Sequence, residues 1–304
     1  MFGGVEAGGT KFVCVIGTGP DDIAETQRID VAGPADTIEA TLDFFRRALA
    51  AGTRIDAIGI GSFGPVELRR SSPRYGFITT TPKPGWPGTD VAGPFAAALG
   101  IPIGFDTDVN AAALAEGRWG AARGLASFVY LTLGTGIGGG AVIDGRLLRG
   151  LGHPETGHIA VPRRPGDTFE GVCPFHGDCF EGLASGPAVG ARFGRRAEHL
   201  DGADQAAAAE LVGFYLAVGV RSITYALAPE RVVVGGGLSA MSGMLDAARA
   251  ELRVQLNGYP GLTEHSQPAF LVPAELGGRA GPAGTLILAE QAAELATDAA
   301  NATG

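Results

Sequence analysis

Glu6-Ala7-Gly8-Gly9-Thr10-Lys11 lies between two apolar runs, 1–5 and 12–16, and its reading decides the fold. Run, turn and run make a strand, a tight turn and a second strand. Glycine at the turn lets backbone N–H groups approach phosphate oxygens, and the threonine hydroxyl adds a donor. One turn of this kind is ordinary hairpin chemistry. The chain repeats it, however, as Leu133-Gly134-Thr135-Gly136-Ile137-Gly138-Gly139-Gly140 between the runs 128–133 and 141–143. Two such units predict the halves of a phosphate clamp, with Gly8, Gly9, Thr10 and Lys11 on one side and Thr135, Gly136 and Gly138 on the other. A third glycine turn, Gly235-Gly236-Gly237, ends the buried run 231–234 and suits a nucleotide's adenosine lying close to backbone.

Around these turns the pattern alternates. An amphipathic helix is expected over 37–51, with Ile38, Leu42, Phe45 and Leu49 on one face, and then a buried strand over 55–62. A Pro- and Gly-rich loop (71–88), a helix (90–99), a strand (101–105) and a helix (110–117) follow, the alternation of an α/β domain. The second half repeats the theme, with a long helix over 206–227 and an amphipathic stretch over 282–295; the tail 296–304 is small and polar enough to fray. These features divide the chain into an N-terminal α/β domain, 1–118, and a second, 119–281.

Composition narrows the function. The 304 residues hold 23 basic and 32 acidic side chains, and the net charge of −9 argues against a surface built to neutralise nucleic-acid phosphates. Arg69-Arg70, Arg163-Arg164 and Arg195-Arg196 are isolated pairs, not a basic stripe. No apolar run reaches the roughly 18 residues of a membrane span and no basic leader precedes an apolar core, so a cytoplasmic protein is expected. Three cysteines, an odd number, fit a reducing compartment.

Gly134-Thr135-Gly136-Ile137-Gly138-Gly139 satisfies G-x-G-x-x-G, yet a dinucleotide site must open a helix and these glycines feed an apolar strand. The P-loop pattern G-x-x-x-x-G-K-[ST] is absent. His158 with Cys173-Pro174-Phe175-His176-Gly177-Asp178-Cys179 supplies four ligands at a spacing suited to tetrahedral zinc. With all four positions filled by protein the ion would be structural, pinning loop 158–179. In Asp106-Thr107-Asp108-Val109-Asn110 the polar groups at the mouth of a helix read equally as N-caps and as a base for a sugar hydroxyl attacking a phosphoryl group. Glu155, His158 and Glu181 are groups of the kind that bind hydroxyl-rich ligands.

Taken in order, Glu6-Ala7-Gly8-Gly9-Thr10-Lys11-Phe12-Val13-Cys14, Gly61-Ser62-Phe63-Gly64-Pro65, Thr81-Pro82-Lys83-Pro84-Gly85-Trp86 and Phe105-Asp106-Thr107-Asp108-Val109-Asn110 resemble the ROK family of sugar kinases. So do the 133–138 turn, Gly152-His153-Pro154-Glu155-Thr156-Gly157-His158 and the 173–181 loop, and the likeness is strongest to the bacterial fructokinase branch. The resemblance, to a family within the actin-like ATPase superfamily, implies two ribonuclease-H-like α/β domains with an interdomain cleft where ATP, Mg²⁺ and sugar meet. It implies a C-terminal helix over 282–295 that returns to the first domain, and a homodimer. Asp108 would be the general base, leaving Asp106 to the start of the helix, and Gly236 would contact the nucleotide. Gly64, Pro65, Thr107, Glu155, His158 and Glu181 would bind the sugar, with His158 also holding zinc beside Cys173, His176 and Cys179. Two departures matter: Thr107 stands where glucose-phosphorylating members carry Asn, and Cys173-x-x-His176 where many glucokinases and repressors have Cys-x-Cys. They count against glucose and point to the fructokinase branch, so D-fructose is the expected substrate, with mannose, glucose or N-acetylmannosamine the alternatives. The family's repressors carry an N-terminal helix-turn-helix, whereas this chain begins on its first strand, so a non-catalytic sugar sensor is the lesser reading.

Overall fold

In the computed structural model, which describes residues 1–303, the first glycine turn closes a hairpin. β1 (Phe2–Ala7) and β2 (Lys11–Gly19) run antiparallel with Ala7 opposite Phe12, and β3 (Asp22–Asp30) adds a third antiparallel strand. On the other edge of β1 lie β4 (Ala57–Ser62) and then β5 (Ile103–Thr107), both parallel, so the sheet reads β3-β2-β1-β4-β5. All six residues of β4 are buried, as a parallel strand covered on both faces requires. The second turn repeats the arrangement. β6 (Phe128–Leu133), β7 (Ile137–Ile143) and β8 (Arg146–Leu147) are antiparallel, and β9 (Arg231–Gly235) and β10 (Leu271–Pro273) continue from β6 in parallel, in the order β8-β7-β6-β9-β10. One topology occurs twice.

Helix α1 (Pro34–Ala50) has proline in its first turn and buries Ile38, Leu42 and Phe45, which the periodicity assigns to its inner face. α2 (Gly93–Leu99) starts later than expected because Asp90 Oδ1 accepts the Gly93 N–H at 2.8 Å and so precedes the helix. α3 (Asp108–Trp119) follows β5, and α4 (Phe180–Ala184), α5 (Gly186–Phe193), α6 (Gly202–Leu227) and α7 (Met244–Leu256) surround the second sheet's core. Contrary to the expectation of no spanning run, α6 is long and apolar enough to cross a membrane, with a mean hydropathy of 1.4 over 18 residues. Yet 67% of that window is buried in protein, among Leu131, Leu133, Phe180 and Val234.

The last helix, α8 (Ala280–Thr303), overrides the expectation that 296–304 frays: the described residues stay helical to Thr303, and Gly304 lies outside them. It sits on β1, β4 and β5 where only glycine fits. A Cβ added to Gly59 would come 1.9 Å from the Thr285 carbonyl, one on Gly104 2.2 Å from the Leu288 carbonyl, and one on Gly4 2.1 Å from Thr285 Oγ1.

Two compact units result. The first holds Met1–Ala115, Arg149–His153 and the chain from Gly278 onward; the second holds Glu116–Leu148 and Pro154–Gly277. The division therefore falls inside α3, short of residue 118. Ala111 lies against α8, where a Cβ on Gly284 would meet its carbonyl at 1.8 Å, whereas the buried Glu116 carboxylate accepts the N–H groups of Ala121, Glu275 and Leu276.

Candidate active site

Parallel register sets Ala7 beside Ser62 and Ser62 beside Thr107, so β1, β4 and β5 end level. The 8–11 turn, the Gly64-Pro65 pair and Asp108 all leave from those ends, the edge at which open parallel sheets bind ligands. Gly8 donates its N–H to the Lys11 carbonyl at 3.0 Å, and the tip at Gly9 and Thr10 is exposed, with nothing within 4 Å of a Cβ built on Gly9. Burial raises the pKa of Glu6, just before the turn, against the opposing charge of Lys11.

At the β5–α3 junction the structure separates the two aspartates. Asp106 is wholly buried, and its carboxylate accepts the Thr107 N–H at 2.7 Å, the Asn110 Nδ2–H at 2.6 Å and the Arg149 guanidinium. Thr107, also buried, accepts the Asn110 N–H on Oγ1 at 3.1 Å and is the N-cap of α3. One expectation is corrected: Asp106 is a buried ion-pair partner, and the cap at the helix start is the Thr107 oxygen. Asp108, the first residue of α3, is half-buried, with Oδ1 accepting the Val109 N–H at 2.8 Å. Arg149 escaped the sequence reading, as did His153, whose Nε2 accepts the Val66 N–H at 3.1 Å just beyond Gly64-Pro65.

In the second unit Thr132 pairs with Gly235, which brings the 134–138 turn beside Gly236. Gly236 has φ +83° and a Cβ there would stand 2.4 Å from the Leu133 carbonyl, so glycine is required twice over. Glu181 braces this turn from the start of α4, its Oε2 accepting the Ile137 N–H at 2.8 Å. Burial, and then the charge of Glu181, pushes the Glu155 carboxyl up to about 7.

His158, Cys173, His176 and Cys179 converge, their ligand atoms all within 4.8 Å of one another. Cys173 Sγ lies 3.7 Å from Nδ1 of both His158 and His176, and Cys179 Sγ lies 3.5 Å from His158 Nδ1. Tetrahedral zinc, with Zn–S about 2.3 Å and Zn–N about 2.0–2.1 Å, separates sulfur from nitrogen by about 3.6 Å, so the donor set fits the ion. Binding through Nδ1 would leave His158 Nε2 for another partner. The loop between these ligands is clamped by a group that no motif announces. Arg192 grips Asp167 through two hydrogen bonds of 2.8 Å, its guanidinium lies 4.1 Å from the Phe169 ring centroid, and the Tyr215 hydroxyl donates to the same carboxylate.

A family model described as ROK family matches residues 2–292. The chain is 42% identical over 291 residues to the fructokinase of Zymomonas mobilis, covering 95% of this chain and 96% of that one. Among solved structures, the ROK hexokinase from Thermus thermophilus has a TM-score of 0.75 at 30% identity, covering 95% of this chain and 98% of that one. A ROK family glucokinase from Streptomyces griseus, solved in complex with glucose and AMPPNP, has a TM-score of 0.73 at 27% identity, covering 95% and 99%.

Proposed function

The chain belongs to the ROK family, and from that premise we propose that it is an ATP-dependent sugar kinase that converts D-fructose to fructose 6-phosphate. The level ends of β1, β4 and β5 carry the reading, because they bring a backbone turn suited to phosphate and a carboxylate suited to a base to one edge of one sheet. Asp108 takes the proton of the 6-hydroxyl as that oxygen attacks the γ-phosphorus, and Mg²⁺ arrives bound to ATP. Backbone N–H groups of Gly9 and Thr10 with Lys11, in the turn that Gly8 closes, and those of Thr135, Gly136 and Gly138 take the phosphates, while Gly236 lies against the nucleotide. Glu155, raised to about 7, donates or accepts toward a sugar hydroxyl, His158 offers Nε2, and Gly64 and Pro65 complete the contact. Zinc held by His158, Cys173, His176 and Cys179 would pin the loop that presents His158. Asp108 and both glycine turns are present, which favours a kinase over a non-catalytic sugar sensor. Family membership supports a cytoplasmic homodimer, testable by light scattering.

A coupled ADP-release assay over fructose, mannose, glucose and N-acetylmannosamine tests the substrate. Fructose is expected to lead in kcat/KM by about tenfold or more. Another hexose in the lead would overturn fructose, and no ADP release with any hexose would overturn the kinase.

A further inference from the structure

Of the 23 basic side chains, 21 are arginines, and the two lysines, Lys11 and Lys83, stand at the same turn. Lys11 closes the 8–11 turn, and the Lys83 ammonium donates to the Gly9 carbonyl at its tip. Everywhere else this chain meets its need for positive charge with a guanidinium. An ammonium differs in being a compact point charge whose three protons can follow a group that moves, whereas a guanidinium commits to one planar fork.

Lys83 is held in place by a built device. In Lys83-Pro84-Gly85-Trp86 the Trp86 N–H donates to the Lys83 carbonyl at 3.2 Å, and proline in second place with Gly85 at φ +81° in third is the signature of a type II turn. Trp86 is wholly buried, its ring centroid 5.7 Å from that of Phe12 and 5.2 Å from that of Phe63. Phe12 is the residue after Lys11, so the anchor of one lysine's loop sits against the strand that carries the other. Among the described residues no carboxylate is in ion-pair contact with Lys83, and the Gly9 carbonyl occupies one of its three ammonium protons. The surface above Gly9 is open.

We propose that Lys83 is a further catalytic residue of the kinase reaction, its ammonium contacting the phosphoryl group in transit from ATP to the sugar; this rests on the kinase reading above. In that step the bond from the γ-phosphorus to the β,γ-bridging oxygen breaks with its electron pair leaving on ADP. A bond to the sugar oxygen forms, and the hydroxyl proton goes to Asp108. Lys83 transfers no proton and neutralises charge on the equatorial oxygens.

The test compares the parent with Lys83→Met, which removes charge and donor, and Lys83→Gln, which keeps a donor for the Gly9 carbonyl. Steady-state kinetics with fructose, titration with Mg·ADP and Mg·AMPPNP, and thermal unfolding are measured on each. Both variants are expected to lose about 10²–10³-fold in kcat, the range for removal of one transition-state contact. Both should bind AMPPNP about tenfold or more weakly, and keep ADP affinity, fructose KM and unfolding midpoint near the parent's. Rescue by Gln, equal weakening of ADP and AMPPNP, or a change confined to fructose KM would overturn the assignment. So would a kcat within about tenfold of the parent's. A parent that releases no ADP with any hexose would remove the kinase reading and Lys83 with it; an active parent with unaffected variants removes Lys83 alone.

Discussion

Asp106 and Asp108 are two residues apart and differ in what surrounds the carboxylate. Asp108→Asn should fold, bind ATP and sugar near parent affinity and lose about 10²–10⁴ in kcat, the usual weight of a general base. Asp106→Asn should act on stability instead, leaving the Arg149 guanidinium without its anion at a cost of about 1–3 kcal/mol, read as a lowered unfolding midpoint. The reverse ranking would give the base role to another carboxylate. Thr107→Asn exchanges one good cap for another and should leave both the midpoint and the fructose-to-glucose ratio of kcat/KM near the parent's. A shift of that ratio by about tenfold or more would put Thr107 on the sugar as well as on its helix. Spacing could not separate these roles, because all three residues flank one helix start and the deciding partner, Arg149, is 43 residues away.

Among elements, the most demanding contact is α8 on its three strands. Gly59→Ala would press a methyl group into the Thr285 carbonyl and the Ala289 N–H, 1.9 and 2.6 Å away, and backbone on both sides leaves nothing flexible to yield. A destabilisation of about 3 kcal/mol is expected by urea unfolding, against near neutrality for Gly9→Ala, where the surroundings are open. The zinc loop makes a second test. Elemental analysis after dialysis should find one zinc per chain in the parent, and Cys179→Ser should lose it together with thermal stability. A parent without stoichiometric zinc, or a fully stable Cys179→Ser, would end the structural role. The hairpins around the glycine turns were legible because apolar runs and turn residues agree. β3 was not, since Asp22–Asp30 is mostly exposed and polar, and a strand of that kind carries no hydrophobic alternation. Gly59 and Gly104 inside buried strands did hold a readable sign of close backbone approach, though not of what approaches.

For the whole molecule, stability against pH tests the clamp on the zinc loop. Arg192 holds the pKa of Asp167 well below the usual carboxylate range, with smaller help from Tyr215 and the Phe169 N–H. A depressed folded-state pKa stabilises fully above the unfolded value, 3.8, and the contribution is lost as pH falls below it. Asp167→Asn should cost about 1–3 kcal/mol near pH 7, where a part-buried, charge-assisted pair is broken, and the gap from the parent should narrow steadily below about pH 4. A gap independent of pH would show that the carboxylate's charge is not what the clamp uses. The doubled architecture was legible, since the glycine turn between apolar runs is written twice. The makeup of the first unit was not: nothing about 149–153 is periodic or apolar enough to announce that Arg149 and His153 fasten to β5 and to the loop after β4. That makeup has a consequence for how the protein is made. The ribosome delivers β1 to β5 early, but the helix that fills the glycine seats on them follows only after the whole second unit. At about 5–20 residues per second the wait is on the order of 10–40 s. During it the nascent first sheet has one face bare, so the later-encoded unit can complete its fold first, and the newborn chain is a client for whatever shields exposed apolar surface beside the exit tunnel.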